Sequence, residues 1–172
     1  SMRDIQRPLS ELVPRKNSVI DAIRIINRSH ENDFKILEKE INYIKNNGYE
    51  VFLNFTSAGY NTVEQNIAFA KFAKKIGLDV IYFADTESVF TPEFVINAIE
   101  ICKSEGIEAG VHLHDKNGTA ESLLEIAIEH GCKYTDATLL GLSGKWHDGN
   151  LSIEHILRKF GLNGGHELNK LK

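Results

Sequence analysis

Five glycines recur along this chain at intervals of 25 to 30 residues, and each follows an amphipathic run. A glycine just past a helix supplies the left-handed backbone conformation that ends the helix. Short apolar segments follow the first four glycines, so each period predicts a helix, a turn, a strand and a loop. This repeat favours a parallel sheet with right-handed crossovers. The glycines are Gly48, Gly77, Gly106, Gly131 and Gly161.

The apolar segments predict five strands, and several are apolar without interruption, as is typical of parallel strands covered on both faces. Helix start signals support the helices between them, since Thr91 precedes Pro92 and Thr62 stands three residues before Gln65. The predicted strands are Val19–Ile26, Tyr49–Phe55, Asp79–Ala84, Ile107–His114 and Tyr134–Leu139. The predicted helices are about 33–47, 62–76, 92–105, 118–130 and 151–160.

Length and composition narrow the class of protein. The chain has 172 residues and a net charge of −4, which predicts one domain and no nucleic-acid partner. A complete eight-stranded β/α barrel takes at least about 200 residues, so this chain is too short to form one. Because no apolar run reaches the roughly 18 residues of a membrane span, we expect a cytoplasmic protein. We divide it into a leader over 1–18, a domain over 19–161 and a polar tail over 162–172.

Polar residues follow the predicted strands, at the edge where active sites of parallel β/α folds form. His112 and His114 are two residues apart on one strand, so their rings share a face. Two neutral imidazoles side by side suit a divalent metal. Two polar residues at a strand end, bonded to water or backbone, would give the same pattern, so both interpretations stay open.

Two carboxylates and an arginine are further candidates for this edge. Asp85 either points into the site or accepts hydrogen bonds from the backbone of the next loop. Asp136 shares a strand face with Thr138, and its charge requires a nearby metal or a partner such as a lysine or backbone amides. Arg24, within the first strand, could bind a substrate carboxylate or form a salt bridge.

Five segments of the chain carry motifs of a known family, namely Asp21–Ile26, Asp85-Thr86, His112–Gly118, Asp136–Leu142, and Gly149–Leu151 with Glu154. They resemble the C-terminal half of the DRE-TIM metallolyases, the hydroxymethylglutaryl-CoA lyase-like group that includes isopropylmalate synthases and 4-hydroxy-2-oxovalerate aldolases. The resemblance implies an α/β fold, namely a partial TIM (β/α) barrel of about five parallel βα units that correspond to strands four to eight.

The resemblance also implies the chemistry. His112 and His114 would bind a divalent cation, Mn²⁺ or Mg²⁺ in the first place and Zn²⁺ as an alternative, with Asn150 as a further ligand. A small 2-oxo acid such as pyruvate would chelate the metal, which stabilises the enolate formed when a carbon–carbon bond breaks or forms. On this basis we assign Asp85, Asp136 and Thr138 as catalytic residues, and Arg24, Asn54, Thr86 and Ser143 as substrate-binding residues.

The sequence departs from the family at two places. The strand-one signature, which supplies a metal-binding aspartate and a catalytic arginine, is not found, so we expect this chain to be incomplete for catalysis. The loop cysteine of the lyases is also absent, and Ser143 lies in that region, which favours the aldolase-like members. The alternatives are a non-catalytic barrel fragment that acts as an assembly or regulatory module, and an open flavodoxin-like sheet.

Five strands of an eight-stranded cylinder leave two open edges and an uncovered inner face. Unpaired edge strands are templates for pairing, and exposed apolar surface of that size marks an interface. We therefore expect either a homo-oligomer or a complex with the missing N-terminal half of the barrel.

Overall fold

A computed structural model describes residues 8–28, 34–142 and 149–161 of the chain. In these residues, five strands alternate with five α-helices, with short 3-10 turns between them. The strands are Ala22–Arg28 (β1), Glu50–Thr56 (β2), Val80–Asp85 (β3), Glu108–Leu113 (β4) and Tyr134–Asp136 (β5). The helices are Phe34–Asn46 (α1), Val63–Lys75 (α2), Pro92–Glu105 (α3), Ala120–Glu129 (α4) and Ile153–Lys159 (α5).

The order of the strands decides between the two predicted architectures. A doubly wound sheet reverses its strand order at a switch point, whereas a β/α barrel keeps the order of the chain. Here the order is β1-β2-β3-β4-β5, and every pair is parallel. Right-handed crossovers then place the helices on one face of the sheet. The prediction of a partial TIM barrel is confirmed, and the flavodoxin-like alternative is wrong.

The hydrophobic core lies between the sheet and its helices. Leu53, Phe55 and Ile81 point to the helical side and are fully buried. Phe55 stacks on Phe69 of α2 with the ring centroids 3.9 Å apart. The opposite side chains of the strands therefore form the inner face of the barrel, where the candidate site residues stand.

The sequence repeat extends to contacts between neighbouring units. Lys45, at the end of α1, donates hydrogen bonds to the carbonyls of Ile76 and Gly77, where α2 ends. Lys74, near the end of α2, donates in the same way to the carbonyl of Gly106, where α3 ends. A cation at a helix C-terminus satisfies carbonyls that lack intrahelical partners. Each unit thus stabilises the helix end of the next.

Two of the five predicted strands, the first and the last, differ from the observed strands by more than one residue. The first strand begins at Ala22, opposite Glu50, and not at Val19. Val19 and Ile20 are 98% and 50% exposed, because the preceding segment forms a 3-10 turn and has no strand beside it in the described residues. β1 instead continues to Arg28.

The last strand is shorter than predicted, because the segment around Leu151 lies beside the end of β4, where the rest of the predicted strand would pair. The backbone N–H of Leu151 donates to the Leu113 carbonyl, and the Leu151 carbonyl accepts from the N–H of Thr138. Leu151 therefore separates the two strands beyond Asp136, where β5 ends. A 3-10 turn over Leu139–Gly141 follows.

Parts of the predicted domain division fall beyond the described residues, namely 1–7 of the leader and the whole tail over 162–172. The described part of the leader contains two 3-10 turns, Leu9–Glu11 and Arg15–Asn17. Across 8–28, 34–142 and 149–161, none of the helices has the length and apolar character needed to cross a bilayer.

Tyr82 occupies the centre of the inner face. It pairs with Gly110 of β4 in the sheet register, and its own side chain is almost fully buried. A Cβ added at Gly110 would lie 2.6 Å from the Tyr82 ring. Glycine inside a strand often marks such a close approach.

We expect Gly110→Ala to lower the free energy of unfolding by about 1–3 kcal/mol, because the added methyl group overlaps the Tyr82 ring. Urea unfolding of the purified variant measures the loss. The control is the same substitution in a Tyr82→Leu background, where the shorter side chain leaves room. An equal loss in both backgrounds would contradict the steric explanation.

Candidate metal and substrate site

Two histidines stand side by side at the carboxyl end of β4. The centroids of the His112 and His114 rings are 5.2 Å apart, with an angle of 65° between the planes. The neighbouring side chains Val111 and Leu113 are buried on the helical side, as the alternation of a strand requires. The two imidazoles therefore share the inner face, as their spacing predicts. His114 is 8% exposed, and His112 is more open.

His112 is held by a carboxylate from the next strand. Asp136 of β5 lies opposite His112 in the sheet register, and its Oδ2 is 2.9 Å from His112 Nδ1. This contact engages one ring nitrogen and leaves Nε2 for another partner. Histidines that bind metals are typically oriented in this way through their second nitrogen.

Arg24 of β1, the strand at the opposite edge of the sheet, binds the same carboxylate across the inner face. Its Nη2 donates to Asp136 Oδ1 at 2.9 Å, and its Nη1 contacts Oδ2. The guanidinium carbon lies 4.1 Å above the centre of the Tyr82 ring, within the range of a cation–π interaction. The sheet is thus curved enough for its first and last strands to be joined across the inner face.

These contacts set the ionisation of the cluster. Burial alone would raise the pKa of Asp136, but hydrogen bonds from His112 and Arg24, together with the charge of Arg24, lower it below its ordinary value. Burial likewise acts to lower the pKa of Arg24, and Asp136 outweighs it, so that pKa is raised. Burial raises the pKa of the Tyr82 phenol, and the Asp136 charge acts in the same direction. The cluster at neutral pH is therefore a carboxylate, a guanidinium and a neutral phenol.

Asn150 lies next to the histidines through its backbone. It forms an isolated antiparallel bridge with His114, and its Nδ2 donates to the Leu142 carbonyl at 3.0 Å. Its side-chain oxygen is buried and accepts no hydrogen bond from the residues that the structure describes. A cavity of about 280 Å³ also adjoins this residue, between the loop after β5 and the helices α4 and α5, and neither His112 nor His114 lines it. Asn150 thus has an acceptor atom available for a ligand.

Asp85 lies apart from this cluster. It shares the outward, helix-facing side of β3 with Phe83 and is fully buried. Its Oδ1 accepts hydrogen bonds from the backbone N–H groups of Val89 and Phe90 at 2.6 and 3.0 Å. Burial raises the pKa of Asp85, and these two amides act against that shift. These hydrogen bonds match the alternative in which Asp85 holds the backbone of the next loop. The catalytic role of Asp85 stays a prediction.

Of the other predicted site residues that the structure describes, one lies on the inner face and two form hydrogen bonds with the backbone of loops. Asn54 pairs with Tyr82 in the register of the inner face and is 5% exposed. Thr86 accepts a hydrogen bond from the Ser57 backbone at 2.9 Å, and the Thr138 hydroxyl donates to the Leu142 carbonyl at 2.8 Å. Ser143 lies outside the described residues.

Sequence reasoning named Arg24 and Asp136 but did not pair them. The predicted partners of Asp136 were a metal, a lysine or backbone amides, whereas the structure supplies Arg24 and His112. The sequence left Arg24 either a substrate carboxylate or a salt bridge, and in the structure its guanidinium forms a salt bridge with Asp136. Tyr82 was missed, although Gly110 opposite it is the kind of signal that indicates a large neighbour.

The donor set fits a divalent cation only in part. Imidazole nitrogens lie about 2.0–2.1 Å from a bound Zn²⁺, and a separation of 5.2 Å between the ring centroids is compatible with two rings that bind one ion. Asn150 Oδ1 adds a buried oxygen that accepts no hydrogen bond from the described residues. Over 8–28, 34–142 and 149–161, no group of three or more His, Cys, Asp or Glu side chains could hold a metal. The described residues therefore supply part of a coordination shell.

The parallel strands in sequential order place the chain among proteins with the TIM-type β/α barrel, and the two histidines stand at the carboxyl end of β4, where such barrels carry their active sites. Within that class, the chain belongs to the HMGL-like family, whose model matches residues 17–170. This confirms the family that the sequence motifs resemble.

Two curated relatives and one solved structure illustrate the match. The chain is 28% identical to the 4-hydroxy-2-oxovalerate aldolase of Carboxydothermus hydrogenoformans, over 83% of this chain and 43% of the relative. It is also 28% identical to the 2-isopropylmalate synthase of Methanocaldococcus jannaschii, over 77% and 25%. It therefore spans less than half the length of these relatives. The HMG-CoA lyase from Brucella melitensis shares the fold, with a TM-score of 0.74 and 19% identity over 88% of this chain and 63% of that one.

Proposed function

We propose that this chain is a metal-dependent aldolase- or lyase-like domain that acts on a small 2-oxo acid. The observation that carries the proposal is the pair of inward-facing imidazoles, one of them held at Nδ1 by Asp136. Membership of the HMGL-like family supports the reaction class. The name of one relative, 4-hydroxy-2-oxovalerate aldolase, specifies a 2-oxo acid as its substrate. When bound, a divalent cation supplies a Lewis acid that stabilises an enolate.

Different residues of this chain would bind the cation and the substrate. Nε2 of His112, the His114 ring and Asn150 Oδ1 would hold the cation. Arg24 and Asp136 neutralise each other and keep the floor of the site rigid, so the substrate meets no net charge from this pair. Asn54 Oδ1 is buried and accepts no hydrogen bond from the described residues, and it would accept one from a substrate hydroxyl. Thr86, Thr138 and Ser143 remain predicted pocket residues.

The donor types bear on the choice of metal. Imidazole nitrogens suit Zn²⁺, whereas amide oxygens suit Mg²⁺ and Mn²⁺. The mixed set of His112, His114 and Asn150 is therefore compatible with each ion that the sequence predicts. Mn²⁺ is the most useful of them in experiments, because its paramagnetism reports directly on bound ligands.

The two edges of the sheet bear on how the site is completed. β1 pairs only with β2, and β5 only with β4, among the described strands. Such edges are templates for further pairing. We propose that strands of another polypeptide segment, or of a second copy of this chain, pair with these edges and supply the remaining metal ligands.

A pyruvate experiment tests the proposed function. The Mn²⁺-loaded protein should bind pyruvate, seen as a change in water-proton relaxation, and should exchange the pyruvate methyl protons with D₂O. Lactate, which lacks the oxo group, is the matched control and should do neither. Metal-dependent binding without exchange would support the alternative of a non-catalytic module. Bound Mn²⁺ without any effect of pyruvate would contradict a 2-oxo acid site.

A further inference from the structure

We infer that Asp136 is a positioning residue: it fixes His112 as the tautomer protonated at Nδ1, so that Nε2 faces the barrel interior with a free lone pair. Arg24 in turn fixes Asp136. The purpose of the fixed tautomer, to present Nε2 of His112 to a cation, rests on the proposed function. The tautomer itself is a property of the protein without any cation.

The donor and acceptor inventory dictates the tautomer. An ionised carboxylate has acceptors only, so the nitrogen that contacts it must carry the hydrogen. Asp136 Oδ2 lies 2.9 Å from His112 Nδ1, and both oxygens of this carboxylate already accept hydrogen bonds from the Arg24 guanidinium. In the neutral ring, the proton then resides on Nδ1, and Nε2 is the acceptor.

Asp136 is itself held so that it cannot turn away from His112. Arg24 binds both of its oxygens, and bidentate pairs of this kind add geometric specificity to charge. The guanidinium rests on the face of Tyr82 at 4.1 Å, and Tyr82 is locked in the space that Gly110 leaves open. Four strands thus contribute to the orientation of one imidazole ring.

A purely structural salt bridge would not need the histidine. Arg24 and Asp136 already satisfy each other's charge, and yet the same Oδ2 that contacts Arg24 also contacts His112. The contact with His112 does not strengthen the link between β1 and β5, but it does fix which nitrogen of the His112 ring carries the hydrogen. This shared oxygen is the feature that distinguishes a positioning role from simple pairing.

The direct test is the tautomer of His112, read from long-range ¹H–¹⁵N spectra of histidine-labelled protein without metal. The wild-type ring should be protonated at Nδ1. In Asp136→Asn, whose amide can donate as well as accept, a substantial population should move to Nε2. The matched control is Glu100→Gln, which alters a carboxylate beside another histidine, His130, and should leave His112 unchanged.

Mn²⁺ affinity supplies the second readout, with an expected loss of about 10- to 100-fold in Asp136→Asn and none in Glu100→Gln. A wild-type ring protonated at Nε2, or a tautomer that Asp136→Asn does not change, would overturn the inference. The wild-type spectrum decides even if the variant fails to fold. A changed tautomer with unchanged Mn²⁺ affinity would uphold the positioning of the ring and would contradict the proposed metal site instead.

Discussion

Replacing His114 with alanine should weaken Mn²⁺ binding by at least about 100-fold. Loss of an outer-shell partner of a metal ligand already costs about 10- to 100-fold in affinity, and the loss of a ligand itself should cost more. The His114 ring lies against His112 on the inner face, so its removal leaves one imidazole for the cation. Titration of the metal-free protein, followed by electron paramagnetic resonance, measures the free Mn²⁺.

His130→Ala is the matched control for this experiment. His130 caps the end of α4 and faces Glu100 on the outer surface, far from the barrel interior, so its loss should not change the affinity. Urea unfolding of both variants separates a binding effect from a folding effect. Equal affinities of His114→Ala and the wild type would exclude His114 as a ligand.

The second large effect concerns the ion pair that spans the sheet. Arg24→Met should lower the free energy of unfolding by about 1.5–3 kcal/mol at pH 7, because it leaves the Asp136 carboxylate largely covered without its strongest partner. The side chains of Arg24 and Asp136 are only 33% and 22% exposed. An exposed pair such as Lys133 and Glu108 should contribute less than about 1 kcal/mol, and Lys133→Met is therefore the control.

The double variant Arg24→Met/Asp136→Leu tests the explanation. It removes both charges, so much of the lost stability should return. If the double variant is less stable than Arg24→Met, packing and not charge explains the loss.

The ion pair also predicts a dependence on pH. The pKa of Asp136 is lower in the folded protein than in the unfolded chain, where it is about 3.9. Its contribution is therefore complete above that value and is lost as the pH falls through the lower, folded-state value. The stability difference between the wild type and Arg24→Met should shrink on acidification below about pH 4. A constant difference from neutral to acidic pH would contradict this assignment.

Local sequence signals predicted most of the fold. Each unit carries its own helix stop and start, such as Gly106 in the left-handed conformation and the Thr62–Gln65 capping box, so these elements did not depend on distant contacts. The end of β5 did depend on them, because Leu151 enters beside β4 only after the chain returns. No local pattern near Tyr134 could indicate that.

In the candidate site, too, the features set by local sequence were predictable and those set by distant contacts were not. The two-residue spacing of His112 and His114 predicted their common face, because alternation along a strand is local. The partner of Asp136 was not predictable, since Arg24 precedes it by 112 residues and meets it only through the curvature of five strands. Asp85 shows the limit of alternation alone: the pattern placed it correctly beside Phe83 but could not tell whether that face was the site or the core.

Electron spin-echo envelope modulation of the Mn²⁺-loaded protein tests most directly whether His112 and His114 hold one cation. We expect nitrogen couplings from two imidazoles in the wild type, and from one in either His112→Ala or His114→Ala at saturating Mn²⁺. A wild-type spectrum with couplings from a single ring, or with none, would contradict it.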